Sequence, residues 1–339
     1  MTGVPPGSWA VDPAAASAYE VAPSVWRLRL PSAWSHINHV NAYALPHSES
    51  GLVLVDCGQG GHPTGLEALA VALQPTDHEL GDVRDLVVTH YDTDHMGNLG
   101  AVKAASDCVV WAHPRCEAFF EVVEHPDQAE RRRRLMAIAG GAQGELVESV
   151  ASVREEVEGA DAPVRPDRLL EDGLILDTAV GGWRVVELPG HSPAQVGLWH
   201  EDQRMLISGD VMVSTFSAFG DAEGSDDPIE EWRTSIERVH ALDAGIAFPG
   251  HGRPITEVAT LADRYRTEFT RHLDATEALL NHEPLDAAAV MNLRYAGMDV
   301  PSLAVWRFLE TQNYLTHLAT QHRAIRNIDD AGHITWTRR

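Results

Sequence analysis

The stretch LVVTHYDTDHMGN, residues 86–98, decides how the rest of this chain is read. It opens as an apolar, β-branched run, the mark of a short buried strand. Directly after that run, His90, Asp92, Asp94 and His95 fall within six positions. Alternate side chains of an extended loop project to one side, so residues 90, 92 and 94 point together. His90 and Asp92 can thus grip one ion. If a helix begins near Asp94, His95 swings to the opposite side and can reach a second ion, and the helix N-terminus favours the Asp94 carboxylate. That helix is expected to carry the following MGNLGAVKAAS.

Working outward, three more β-runs end in ligand-type residues: PGHS at His191, SGD at Asp210 and PGHG at His251. Any one of these alone is an ordinary turn sequence. Four in series, each just past a strand where loops carry functional side chains on a rigid scaffold, read as one metal site. Strand runs recur on both sides: VWRLRLP, HVNAYAL, GLVLVDCG, VRDLVVTH and CVVWAH first, then GLILDT, WRVVELPGHS, QVGLWHED, RMLISGDVMV and AGIAFPGHG. Helical spacing marks residues 64–74 and 229–242, the charged, alanine-rich segment 114–160, and most of the chain after residue 258. The final GHITWTRR fits a short strand. Strand-rich halves alternating with helices argue an α/β fold with helices outside sheets.

Composition narrows the function. With 44% apolar and 22% charged residues, the chain reads as an ordinary globular protein. It has no run of about 18 apolar residues to cross a membrane. Its 50 acidic residues oppose 26 basic ones, a formal charge of −24. A field of that sign repels phosphate backbones and anionic lipid, so neither nucleic acid nor a membrane is an expected partner. Cys57, Cys108 and Cys116 form no C-x-x-C pair or disulfide framework, and MTGVPPGSWAVDPAAASAYEVAP lacks the basic start and apolar core of a secretory signal. Both features predict a cytoplasmic protein.

In order, LVDCG, THYDTDHMGN, LPGHSPAQVGL, SGDVM and FPGHG resemble the five motifs of the metallo-β-lactamase superfamily of hydrolases, over about residues 35–256. The resemblance implies a four-layer αβ/βα sandwich, two facing sheets with helices outside, and two divalent metal ions at one edge. It implies that His90, Asp92 and His191 hold the first ion, that Asp94, His95 and His251 hold the second, and that Asp210 bridges the two. Asp94 and Asp210 are expected to serve catalysis as well as ligation, and Asp56 matches a structural aspartate beside the site. The expected organisation is a flexible lead-in at 1–24, a catalytic domain at 25–257 with a helical insertion at about 115–160, and a mainly helical cap at 258–339. Within the cap, LETQNYLTHLATQHRAI resembles the small winged-helix-like tail of some family members.

The family's common motif is His-x-His-x-Asp-His, and here Asp92 takes the second histidine's position. Zinc is the first expectation, since carboxylates bind it too. Iron and manganese are the alternatives, because oxygen donors suit harder metals; the flavodiiron branch similarly has a glutamate at this position and binds iron. The expected reaction is hydrolysis of a small-molecule ester, lactone or thioester by a metal-bound hydroxide, available because a divalent ion lowers the pKa of its water towards ~7. A di-iron oxidoreductase and a phosphodiesterase or nuclease are the alternatives on the same fold. No flavodoxin-like domain follows for the former, and the acidic charge weighs against the latter. The expected partners are the small-molecule substrate and, at most, a second copy of the chain in a homodimer.

No protein nucleophile is called for: GHSPA fails the G-x-S-x-G pattern at its last position, so Ser192 is a turn residue. Cys57 reads as a small buried residue. The CGQGGHPTG loop lacks the Lys-Ser/Thr of a phosphate-binding loop and reads as a turn. Trp34, His36 and His39, in AWSHINHVNAY, border the cleft in relatives and are candidate substrate-rim residues. Arg131 to Arg134 form the one dense basic run, read as a solvated helix face or as part of a lid that meets an anionic substrate.

Overall fold

The structure, a computed structural model, describes residues 9–34, 37–162, 164–220, 224–281, 283–298 and 300–339. Two sheets carry the architecture. The first holds seven strands in chain order: β1 (Ser17–Ala22), β2 (Val25–Pro31), β3 (His39–Pro46), β4 (Leu52–Val55), β5 (Val83–Val87), β6 (Val109–Ala112) and β7 (Arg168–Leu169). Its pairing is antiparallel from β1 to β4 and parallel from β4 to β7. The second holds β8 (Ile175–Thr178), β9 (Gly181–Glu187), β10 (Val196–His200), β11 (Met205–Gly209) and β12 (Ile246–Pro249), antiparallel except between β11 and β12.

Parallel neighbours need long crossovers, and helices supply them. Helix α1 (Pro63–Leu73) joins β4 to β5, and α2 (Thr93–Met96) with α3 (Leu99–Ser106) joins β5 to β6. Between β6 and β7 run α4 (Glu117–Glu124), α5 (Pro126–Ala139), α6 (Glu145–Ala151) and α7 (Arg154–Glu158); α8 (Pro228–Ala241) joins β11 to β12. The chain continues as α9 (Val258–Leu279), α10 (Ala287–Arg294) and α11 (Ala304–Thr320), then the hairpin β13 (Ala324–Ile328) and β14 (Ile334–Arg338). None of the described helices is long and apolar enough to cross a membrane.

Alternation along the strands sorts the core into three apolar layers. On β3 and β4, Ala42, Ala44, Leu52 and Leu54 pack with α1 and α3, whereas Tyr43, Leu45, Val53 and Val55 meet the second sheet. From that sheet Val196, Leu198, Met205 and Ile207 meet them, while Trp199 and Leu206 turn outward onto α8, α9 and α11. Strands covered on both faces read as continuous apolar runs, which is how they read here. This is the expected four-layer αβ/βα sandwich with a helical tail.

Three elements depart from expectation. Residues 17–22, assigned above to a flexible lead-in, form edge strand β1 on β2, and Trp9 is buried against Gly159. The strand is hidden in the sequence because an edge strand buries its side chains only partly. The helix expected from Asp94 through Ser106 is broken at Gly97 and Asn98. There Asn98 N–H donates to Gly58 O and its Nδ2 to Cys57 O, so these groups serve the loop after β4 instead of a continuous helix. In the tail the helical pattern stops at Thr320, and residues 324–328 pair with β14. Residues 117–158 hold α4 to α7. Arginines of α5 tie it to its neighbours, with Arg133 2.8 Å from Glu156 and Arg134 paired with Glu148.

Candidate metal centre

Strand ends bring seven donors together. His90 follows β5, and the next residues deliver Asp92, at the N-cap of α2, then Asp94 and His95. The loops after β9, β11 and β12 deliver His191, Asp210 and His251. Three sets of donor atoms lie within 4.8 Å of one another: His90, Asp92 and His191; Asp94, His95 and His251; His90, His95 and Asp210. The first two are the ligand sets expected from the sequence. Asp210 lies between them, with Oδ1 3.6 Å from His95 Nε2 and Oδ2 3.0 Å from His251 Nε2 and 4.0 Å from His191 Nε2.

All four imidazoles are held from behind through Nδ1. His95 Nδ1 donates to Asp56 Oδ2 at 2.8 Å, His191 Nδ1 to Phe219 O at 3.1 Å, His251 Nδ1 to His39 O at 2.9 Å and His90 Nδ1 to Thr89 Oγ1 at 2.9 Å. Thr89 Oγ1 in turn donates to Asp56 Oδ2 at 2.8 Å, so one buried carboxylate stands behind both His90 and His95. A ring protonated at Nδ1 presents a lone pair at Nε2. His191 Nε2 lies 3.1 Å from Asp92 Oδ2, and His251 Nε2 lies 3.3 Å from Asp94 Oδ2. Two acceptors hold that distance only with positive charge between them, a proton or a cation. His90 Nε2, His95 Nε2, Asp94 Oδ2 and Asp210 Oδ1 are buried without a hydrogen-bond partner among the described residues. Buried polar atoms are nearly always satisfied, so this inward-facing set fits divalent cations.

The electrostatics agree. Burial pulls His191 and His251 down, but carboxylates outweigh it: Asp92 and Asp210 hold His191 up at about 9, and Asp210 and Asp94 hold His251 up at about 10. Burial pushes the Asp92 and Asp210 carboxyls up, yet the imidazoles beside them hold both below the usual carboxylate range. The donors as a group therefore favour positive charge among them.

Residues 38–251, a span that holds every donor of this site, match the description "Metallo-beta-lactamase superfamily". The chain belongs to the metallo-beta-lactamase superfamily. It is thus an enzyme of the metallo-hydrolase class. A Bacillus subtilis protein named "Probable metallo-hydrolase YqjP" is 24% identical over 254 residues, 70% of this chain and 76% of that protein. A hydroxyacylglutathione hydrolase of Bdellovibrio bacteriovorus is 23% identical over 131 residues, 39% of this chain and 35% of that enzyme. The crystal structure of a metallo-beta-lactamase family protein from Thermus thermophilus superposes with a TM-score of 0.79 at 23% identity. It covers 94% of this chain and 100% of that one, and carries the likeness of fold.

Local backbone explains why this superfamily site needs these residues. Asp56, just after β4, has φ 61°, a left-handed conformation that aspartate tolerates, and so turns its carboxylate to Thr89 and His95. A Cβ on Gly250 would lie 2.1 Å from Asp210 Oδ1 and 2.5 Å from His95 Cε1, so the turn before His251 has no room for a side chain. That turn is clamped from β3: Asn41 Nδ2 and Tyr43 OH donate to Pro249 O at 2.8 and 2.7 Å.

Of the three rim candidates, His36 lies outside the described residues. Trp34 is half-buried, with an indole Nε1 that has no partner among the described residues. His39 stands behind His251: its carbonyl accepts from His251 Nδ1 and its Nε2 accepts from Gly252 N–H at 3.2 Å. Burial and the nearby Arg29 hold its imidazole down at about 4, which keeps it neutral for that task. Sequence reasoning missed Phe219, which acts through a backbone carbonyl and leaves no side-chain signal. It also missed Trp232, whose ring packs 5.8 Å from that of His191 and leaves Gly190 no space for a Cβ.

Proposed function

We propose that this chain is a dinuclear metallo-hydrolase that cleaves an ester, lactone or thioester bond in a small molecule. His90, Asp92 and His191 would hold one divalent ion, Asp94, His95 and His251 the other, with Asp210 shared. The observation that carries this reading is the common orientation of four imidazoles, each tied outward through Nδ1 and each turning Nε2 towards Asp92, Asp94 or Asp210. Four carboxylates, Asp56, Asp92, Asp94 and Asp210, gather in and behind this site, a charge that two divalent cations neutralise. Divalent ions bound there supply Lewis acidity and an activated water near neutral pH.

The chain's own residues orient and accept. Asp56, Phe219 O and His39 O fix three rings, so the donor geometry is set before substrate arrives. The Asp94 and Asp210 carboxylates face inward and are acceptors for the proton that an attacking water sheds. The water oxygen joins the acyl carbon, the acyl bond breaks, and the proton passes to the departing oxygen or sulfur. The hydroxyacylglutathione hydrolase among the relatives, named for hydrolysis of an acyl compound, supports acyl cleavage. The −24 charge disfavours a phosphodiester polymer.

Zinc is the first expectation for the ions. Asp92, with 29% of its side chain exposed, adds an oxygen donor that favours iron or manganese beyond what an imidazole would. A hydrolysis screen over ester, lactone, thioester and phosphodiester panels with zinc, manganese and iron tests the reading. Turnover of an acyl panel that chelator removes supports it; turnover confined to phosphodiesters, or a purified coloured protein with redox activity and no hydrolysis, overturns it.

A further inference from the structure

Beside the metal centre lies a cavity of about 390 Å³ between the loop at 213–219 and helices α9 and α11. Phe219 is their shared wall. Its carbonyl holds His191 Nδ1, its ring lies 6.2 Å from the His191 ring, and the same ring stacks on Trp306 at 5.0 Å and 19°. Phe216 continues the apolar side, braced edge-on against Tyr265 and Phe269 at 5.0 and 5.1 Å. At the other end of the loop Arg264 donates to Ser214 O at 3.2 Å, and Ser214 Oγ abuts Gly252, the residue after His251. The loop therefore runs from one ligand turn to the other with the cavity on its flank.

The charges in the cavity are unequal. Three arginines, Arg264, Arg271 and Arg307, face two glutamates, Glu268 and Glu310, a net positive patch in a chain of charge −24. Glu268 is engaged by Arg271 at 2.6 Å, and Glu310 accepts from the hydroxyls of Tyr295 and Tyr314. Arg264 and Arg307 form no ion pair with a carboxylate among the described residues, although the Arg264 charge adds to Arg271 in holding the Glu268 carboxyl below its usual range. Arg307 is pre-oriented by its bond to Met298 O at 2.6 Å and by its stack 4.6 Å over the Tyr295 ring. A guanidinium offers five donors, so each of these two keeps most of its capacity for a ligand.

We propose that this cavity is the specificity pocket of the enzyme, and that its substrates carry an apolar chain ending in a carboxylate. The aromatic walls Phe216, Phe219 and Trp306 take the chain, Arg264 and Arg307 take the carboxylate, and the scissile acyl group is left on the His191 side of Phe219. The substrate assignment rests on the hydrolase reading above; binding to the cavity does not.

Calorimetric titration of the metal-loaded full chain with octanoate, 1-octanol and acetate separates the two. Octanoate should bind about tenfold more tightly than 1-octanol, the worth of one charge-assisted pair at a partly exposed site, and weaken with salt. Acetate, which can reach the metals but not fill the cavity, should bind more weakly than octanoate. Arg264→Gln/Arg307→Gln should abolish the preference for octanoate over 1-octanol, and Arg264→Lys/Arg307→Lys should restore part of it. Octanoate binding that is equal in wild type and the glutamine pair places the carboxylate on the metals and overturns the proposal, as does equal affinity for octanoate and 1-octanol. In turnover, monomethyl suberate should exceed methyl octanoate in kcat/KM, with KM carrying the difference, and the glutamine pair should erase it. Hydrolysis of neither ester alongside the predicted octanoate binding would defeat the hydrolase reading and leave the pocket standing.

Discussion

Replacing Asp56 by asparagine isolates what lies behind the ligands. In the native site Asp56 Oδ2 accepts from Thr89 Oγ1 and from His95 Nδ1, and Oδ1 accepts from Thr89 N, all at 2.8 Å. Asparagine keeps the shape and halves the accepting capacity. If its oxygen faces His95, its NH₂ meets the Thr89 N–H, donor against donor, at a residue only 2% exposed. If its NH₂ faces His95, the ring must accept at Nδ1 and carry its proton on Nε2, where Asp94 and Asp210 lie 3.8 and 3.6 Å away. The first arrangement leaves a buried donor unsatisfied, at roughly 1–3 kcal/mol. The second removes His95 as a donor to metal, and loss of such an outer partner typically weakens metal binding about 10–100-fold. Competition against a chromophoric chelator measures the affinity, and urea unfolding of the metal-free protein measures the stability. Asp56→Asn should lower at least one of them by these amounts. Unchanged values of both would refute the claim that Asp56 sets the His95 tautomer.

Gly250→Ala places a methyl where Asp210 Oδ1 sits 2.1 Å away, so it should displace the shared carboxylate and reduce bound metal while circular dichroism stays native. Full metal loading of that variant would contradict the packing. Glu155, on α7, is pushed up to about 7 by burial, with help from Glu156 and Asp94. Because this folded value lies above that of the unfolded chain, the fold binds the extra proton between about pH 4.5 and 7, and stability falls as pH rises through that window. Glu155→Gln should therefore gain on the order of 2–3 kcal/mol over wild type at pH 8 and nothing at pH 4.5; a pH-independent difference would be the wrong sign of evidence. Asp227 caps α8 by accepting from Glu230 N at 3.1 Å, and it also takes His317 Nδ1 at 3.0 Å and Thr320 Oγ1 at 2.7 Å from α11. Asp227→Ala should cost roughly 2–3 kcal/mol in urea unfolding through lost capping and an unpaired buried imidazole, and a loss below about 0.5 kcal/mol would remove this tie from the account.

The seven candidate donors were legible because they follow four strands with apolar runs, β11 buried along its whole length and β5, β9 and β12 in part. Such strands announce themselves as apolar runs, and the residue after the run is fixed in space by the sheet. What lay outside the sequence signal depends on long-range geometry. Phe219 and His39 orient His191 and His251 through backbone carbonyls, which any residue type carries. Thr89 and Asp56 lie 33 positions apart, and their bond becomes visible only when β4 and β5 run side by side. Strand β1 escaped detection because an edge needs little apolar content, and the helix break at Gly97 because its cause is the distant loop at Gly58. The cavity under Phe219 joins arginines from α9 and α11 to a loop far earlier in the chain, a juxtaposition no local pattern encodes.

Metal content tests the central claim most directly. Protein purified without chelator, reconstituted with zinc, manganese or iron and freed of excess ion, should hold close to two divalent ions per chain by elemental analysis, since seven donors exceed what one tetrahedral ion accepts. The double variant Asp92→Ala/His191→Ala should fall to about one, because it dismantles one donor set and leaves Asp94, His95 and His251 intact. A wild-type stoichiometry that stays at one or below with every metal, or a double variant that still holds two, would contradict the two-ion centre.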